Sequence, residues 1–190
     1  MRHATWLCLA AALVYLADPA AAQSDGGWDV VLNGRAIHMN AEKDWNEDNW
    51  GLGIEHEFSS TGRWIKVAMA NGFEDSMGDP SYMAGGGIKR RFRLGDNFYT
   101  DLGGIAFLMS RQTVNRGQPF PGLLPAATFG FKRVAVNVTY LPESVVNDVT
   151  HSHKYDPSMH GVFFLQLKLD ASLFGFGHRG RPLLAESTTE

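Results

Sequence analysis

A single cysteine, Cys8, occurs in 190 residues. One thiol cannot build a disulfide framework or a cysteine-ligated metal site. Long apolar runs are missing as well: beyond residue 22 none approaches the roughly 18 residues of a membrane helix. That excludes a helical membrane bundle, but not a membrane β-barrel, whose strands alternate and leave a weak hydropathy signal. No excess of basic charge is present, with 17 Lys and Arg against 20 Asp and Glu and a net charge of −3. Nothing therefore points to a nucleic-acid partner. Charged residues are only 19% of the chain, and 44% is hydrophobic, too much for a disordered protein. What is abundant is glycine (21 residues) and aromatic side chains (12%).

The opening segment, MRHATWLCLAAALVYLADPAAA, has Arg2 and His3 before an apolar stretch from Ala4 to Leu16. Pro19 then precedes Ala20-Ala21-Ala22. This order is that of a secretory signal peptide over residues 1–22, cleaved before Gln23. Cys8 leaves with it, so the exported domain has no thiol nucleophile.

From there the pattern is period-two alternation broken by polar and Gly-rich turns. It predicts strands over 29–39, 50–58, 64–71, 82–94, 98–109, 126–131, 134–140 and 161–169, and reads the proline-rich QPFPGLLP as a connection. Connections alternate between tight (SSTG, GDN, KR) and long, as in outer-membrane barrels. Trp50, Trp64, Tyr82, Phe98 and Tyr140 fall near strand ends on one face, as an aromatic girdle would. The expected fold is an all-β, eight-stranded antiparallel up-and-down transmembrane β-barrel over residues 23–170, with a disordered tail over 171–190. A soluble lipocalin-type barrel is the alternative architecture, and would need a polar outer surface.

Candidate chemistry is sparse. His151, His153 and His160 lie in a polar loop, THSHKYDPSMH, where a solvated surface explains them as well as a metal would. His38 closes the first strand, and Asp75-Ser76 follow the third. Strands one and three run toward the same rim. An imidazole beside a carboxylate and a hydroxyl is an acid–base arrangement suited to acyl transfer.

Three stretches carry a resemblance: NWGLGIEHEF, VAMANGFEDSMGDPSYMAGGG and PFPGLLPAATFGFKRVAVNVTYLP. In order and spacing they are similar to the lipid A palmitoyltransferase family PagP. The resemblance implies an outer-membrane enzyme that moves a palmitoyl chain from a glycerophospholipid donor to a hydroxyacyl chain of lipid A, as a monomer and without metal or cofactor. It implies His38, Asp75 and Ser76 as catalytic residues. Gly87 would floor the acyl-chain pocket, and Pro125 and Pro142 would flank a lateral opening for lipid. The chain departs from the family pattern at Asn49, which replaces a proline, and in having only Gln23 to Trp28 ahead of the first strand, with no room for an N-terminal clamp helix. A non-catalytic small barrel of the OmpX kind is the alternative function. The discriminating features are the convergence of the three residues at the loop-bearing rim and an apolar space beneath them.

Overall fold

The structure is a computed structural model and describes residues 24–150 and 156–176. The segment 1–22, read from the sequence as a signal peptide, together with His151, His153 and the tail beyond 176, lies outside the described residues. Eight antiparallel strands close into a barrel in chain order. They are β1 (Gly27–Met39), β2 (Asp48–Glu57), β3 (Trp64–Glu74), β4 (Pro80–Leu94), β5 (Phe98–Arg111), β6 (Phe120–Phe131), β7 (Val134–Pro142) and β8 (Gly161–Asp170). The β1–β8 pairing completes the ring. The connections 58–63, 95–97 and 132–133 form one rim, and 40–47, 75–79, 112–119 and 143–160 form the other.

Two departures from the sequence reading stand out. β6 begins at Phe120, so the proline-rich run is strand, paired with β5 from Met109↔Phe120 to Gly104↔Pro125. It tolerates proline because that part of β6 is an edge: β7 pairs with β6 only from Ala126↔Thr139 downward. The last long loop carries a short helix, α1 (Glu143–Thr150). Its Val146 packs with Ala36, Met159 and Val162 at the loop-bearing rim. The tail begins with a single 3-10 turn, Ala171–Phe174, whose Ser172 N–H is capped by the Asp170 side chain.

The outer wall is apolar. Trp50, Leu52, Ile88 and Leu123 are each more than half exposed, with Leu123 at 73%. Such a continuous apolar exterior has no place in water, so the lipocalin-type alternative fails. Trp50 and Tyr82 lie toward the loop rim and Trp64 and Phe98 toward the other, all exposed, as aromatic girdles at the two faces of a bilayer.

The lumen has two layers. Toward the short-turn rim it holds charge. Lys168 Nζ bridges Glu55 at 2.6 Å and Asp29 at 3.1 Å, and Lys89 Nζ meets Glu55 at 3.3 Å. The Arg91 guanidinium forks onto Glu57 and Asp101, with all four contacts between 2.8 and 2.9 Å. These ions are buried but mutually paired, which offsets their desolvation. Deleting one partner of such a set typically costs about 3–5 kcal/mol. Nearer the loop rim Met69, Ile105 and Ala126 pack together, joined by Met83 and Phe107, with the buried Asn71 donating to Met69 Sδ at 3.7 Å. The barrel carries a charged plug below and a mainly apolar packed layer above.

Candidate active site at the loop rim

His38 sits one residue before the end of β1, and its side chain is only 4% exposed. It faces inward because β1 changes parity. Asp29, Val31 and Asn33 are buried, and after a register shift between Asn33 and Arg35 the buried position moves to Ala36. His38 continues that second phase.

The imidazole has one charged neighbour at short range. Glu47 Oε1 lies 3.8 Å from Nδ1 and accepts a hydrogen bond from the His38 backbone N–H at 3.2 Å. The Glu47 carboxylate is held below its ordinary range, chiefly by that N–H and further by Arg35, against a smaller opposing effect of burial. Nδ1 itself is buried and lacks a hydrogen-bond partner. An unpaired polar atom in this position is the kind that substrate or a small loop movement satisfies. Trp45 covers the ring in a stacked arrangement, with centroids 5.3 Å apart and planes at 10°.

Trp45 is fixed by Asp156, in the connection before β8. The buried Asp156 carboxylate accepts from Trp45 Nε1 at 3.0 Å, Lys43 N at 3.0 Å, Glu42 N at 3.1 Å and Ser158 Oγ at 2.7 Å. Burial pushes its pKa up, but these donors outweigh it and hold the carboxylate well below the usual range.

Asp75 and Ser76 also occupy this rim. Asp75 is 1% exposed. Its carboxylate accepts from Met77 N, Asp79 N, Ser81 Oγ and Arg111 Nε, at 2.8, 3.1, 3.2 and 2.9 Å. His38 is not among its partners. Asp75 thus organises the β3–β4 turn that carries Ser76. The two halves of the site meet through Asn46: its N–H donates to Ser76 O at 3.2 Å, and its side-chain amide to Asp75 O at 3.2 Å. Glu47, the next residue, reaches His38.

Gly87 faces inward between Val67 and Ile105. It lies at the boundary of the two lumen layers, since Ile105 belongs to the apolar cluster and Lys89 to the charged set. A Cβ there would come within 2.6 Å of Gly104 O and 2.9 Å of Ile105 Cγ1, so the close approach of β5 also demands glycine. Pro125 and Pro142 flank the stretch where β6 and β7 do not pair, above the Ala126↔Thr139 rung. Asn49 is buried, and its amide donates to Glu74 O at 2.8 Å, stitching β2 to β3.

Sequence reasoning singled out neither Glu47 nor Asp156. Glu47 was detectable only as an acidic residue in the loop following His38, and Asp156 only as one loop aspartate among several. His160, assigned to a polar loop, hydrogen-bonds Asn40 through Nδ1 at 2.9 Å.

A closed eight-stranded barrel with a lipid-facing apolar wall and a plugged lower lumen defines a small outer-membrane β-barrel rather than an open pore. The family model described as antimicrobial peptide resistance and lipid A acylation protein PagP matches residues 29–152, and the chain belongs to that family. The lipid A acyltransferase PagP of Bordetella pertussis is 32% identical over 127 residues, 63% of this chain and 69% of the relative. That of Methylobacillus flagellatus is 28% identical over 166 residues, 75% of this chain and 90% of the relative. Among solved structures, the outer membrane protein Ail of Yersinia pestis aligns with 9% identity and a TM-score of 0.38, over 75% of this chain and 98% of that one.

Proposed function

We propose that this protein transfers a palmitoyl-length acyl chain from a glycerophospholipid to a hydroxyacyl chain of lipid A, with His38 as the general base. The observation that carries this reading is the buried His38 imidazole, paired with Glu47 and lidded by Trp45, on the rim that also bears Asp75-Ser76. His38 takes the proton of the acceptor hydroxyl as its oxygen attacks the donor ester carbonyl. The proton then passes to the leaving glycerol oxygen as the tetrahedral intermediate collapses, which frees the lysophospholipid. Glu47 favours the imidazolium formed between the two steps. Ser76 positions substrate or donates to the developing oxyanion. Asp75 acts one step back, by fixing the turn that presents Ser76.

The donor chain inserts into the apolar layer of Met69, Met83, Ile105 and Phe107, with Gly87 at its floor. It is admitted sideways where β6 and β7 part, between Pro125 and Pro142. Two of these packed side chains are methionines, whose flexible thioethers adapt to a guest. The protein works as a monomer, needs no cofactor, and reaches the outer membrane by way of the cleaved 1–22 segment.

The test is expression of the full chain in a Gram-negative strain lacking such an enzyme, followed by mass analysis of its lipid A. A gain of one palmitoyl group that His38→Ala abolishes supports the reading. A folded, inserted barrel that leaves lipid A unchanged refutes it and favours a non-catalytic role.

A further inference from the structure

The lipid-facing wall is not uniform. Large side chains stand out on β2, where Leu52 and Ile54 are 63% and 48% exposed, and on β6, where Leu123 is 73% exposed. Between these ridges, the outward residues of β3, β4 and β5 pair as Ala70↔Ala84↔Leu108, with Gly72↔Tyr82↔Ser110 one rung nearer the loop rim. The result is a groove of about 580 Å³, apolar along its length and bounded above by Pro119.

At the loop rim the groove runs into a second, more polar hollow of about 460 Å³, which shares Tyr82 and Ser110 with it and adds Gln112 and Arg116. The short helical turn Asn115–Gly117 projects Arg116 from backbone in the left-handed region, with φ of 49° at Asn115 and 55° at Arg116. Arg116 is exposed and forms no ion pair among the described residues. An apolar furrow in a bilayer-facing wall, headed by a guanidinium at headgroup level, matches a lipid that carries a phosphate above its acyl chains.

We infer that this furrow docks the lipid A acceptor, one acyl chain lying over Ala70 and Ala84 and a phosphate meeting Arg116 and Gln112. This rests on the acyl-transfer reading above and adds where the acceptor is held. Lipid A is favoured over a phospholipid because long loops of such barrels face the cell exterior, so the site opens to the outer leaflet. The neighbouring connection is the Asp75-Ser76 turn, which leads into Pro80 at the hollow's edge. An acceptor seated there lies against the Asp75-Ser76 turn between β3 and β4, while the β6–β7 opening is a separate break in the wall, one strand beyond β5, left to the donor.

The test measures binding without acyl donor. The full chain in micelles is titrated with bisphosphorylated lipid A, with dephosphorylated lipid A and with phosphatidylglycerol, and bound lipid is counted by native mass spectrometry. Arg116→Ala should weaken bisphosphorylated lipid A about tenfold, the loss expected for a charge-assisted hydrogen bond, and leave the dephosphorylated form unaffected. Arg116→Lys should restore part of the loss. Ala84→Phe, which fills the furrow with an apolar side chain compatible with the wall, should weaken both forms. Unchanged binding in Arg116→Ala and Ala84→Phe overturns the site, as does phosphatidylglycerol competing on equal terms with lipid A, which would mark ordinary boundary lipid. Specific binding in a protein that transfers no acyl group would leave the site standing and defeat the acyl-transfer reading instead.

Discussion

Gly34 sets the direction in which His38 points. β1 pairs with β8 as Asn33↔Gln166 and then Arg35↔Leu165, so Gly34 is an extra residue on β1. A one-residue insertion reverses which side chains face the lumen. Were Gly34 taken into regular pairing instead of being bulged out, Arg35 and Ile37 would point inward and His38 would face lipid. The glycine is not needed for its conformation, because a Cβ at 34 would meet only Leu165 O, at 3.7 Å. Gly34→Ala should therefore keep full activity and folding, and deletion of Gly34, which leaves Arg35 facing out and Ala36 and His38 facing in, should retain acyl transfer as well. Lipid A mass spectra of strains carrying each variant decide it; a folded deletion protein without activity would show that the bulge does more than absorb the extra residue.

Glu47 should matter to His38 and little to the barrel. It lies in the 40–47 connection and makes no contact in the charged plug. Glu47→Gln keeps the shape and removes the charge that favours imidazolium. Turnover should fall on the order of tenfold, against about 10²–10⁴-fold for His38→Ala. Thermal unfolding should be unaffected in both. Equal turnover of Glu47→Gln and wild type would remove Glu47 from the mechanism.

Asp156 ties the β7–β8 connection to the loop carrying Trp45. Its folded-state pKa is depressed, so the stabilisation is present at pH above the unfolded carboxylate value of about 3.9 and is lost as pH falls through the lower folded value. The tether should hold from neutral pH down into the mildly acidic range and release only in strong acid. Asp156→Ala should release it at neutral pH and raise hydrogen exchange at the Glu42 and Lys43 amides, while β-sheet circular dichroism stays unchanged. Amides as protected as in wild type would contradict the tether.

Gly87 combines two constraints. Gly87→Ala presses a Cβ against Gly104 O and Ile105, an overpacking cost of about 1–3 kcal/mol, and should lower the unfolding temperature. It should also shift the added chain toward shorter lengths, since the floor of the apolar layer rises. Mixed-chain phospholipid donors and lipid A mass report the second effect. Destabilisation with no change in chain length would make Gly87 structural only.

The β6–β7 gap can be closed chemically. Pro125 and Tyr140 would form the next rung above Ala126↔Thr139 if the ladder continued. In a Cys8→Ser background, Pro125→Cys with Tyr140→Cys, joined by a short reducible crosslinker, should stop acyl transfer, and reduction should restore it. Full activity in the crosslinked protein would exclude this route for the donor.

The strand cores were legible in the chain because one wall of a membrane barrel faces lipid and the other a packed lumen. Trp50, Leu52 and Ile54 on one side, and Gly53, Glu55 and Glu57 on the other, record that division directly. Runs such as FEDS and PFPGLLP through TYLP marked the family. Less was legible wherever a segment has only one strand neighbour or none. The 120–125 stretch of β6 reads as a break because its prolines forfeit donors, and only its position beside β5, with nothing paired on the β7 side, makes it strand. α1 is a short helix inside a polar connection, whose Val146 gains its packing from Ala36 and Val162 across the rim.

The sequence alone determined a barrel of this class and the residue types its rim would carry. It did not determine which carboxylate serves His38. Asp75 looked like the partner from its motif, yet Arg111, Ser81 and two backbone amides occupy it, while Glu47 reaches the imidazole. Nor could period-two alternation reveal the parity change at Gly34, because an inserted residue is visible only against the strands it pairs with. Alternation is a local consequence of facing lipid or lumen, and it survives in the chain itself. Register, ion pairing and the furrow over β3–β5 arise between segments far apart in sequence, so only closure of the barrel fixes them.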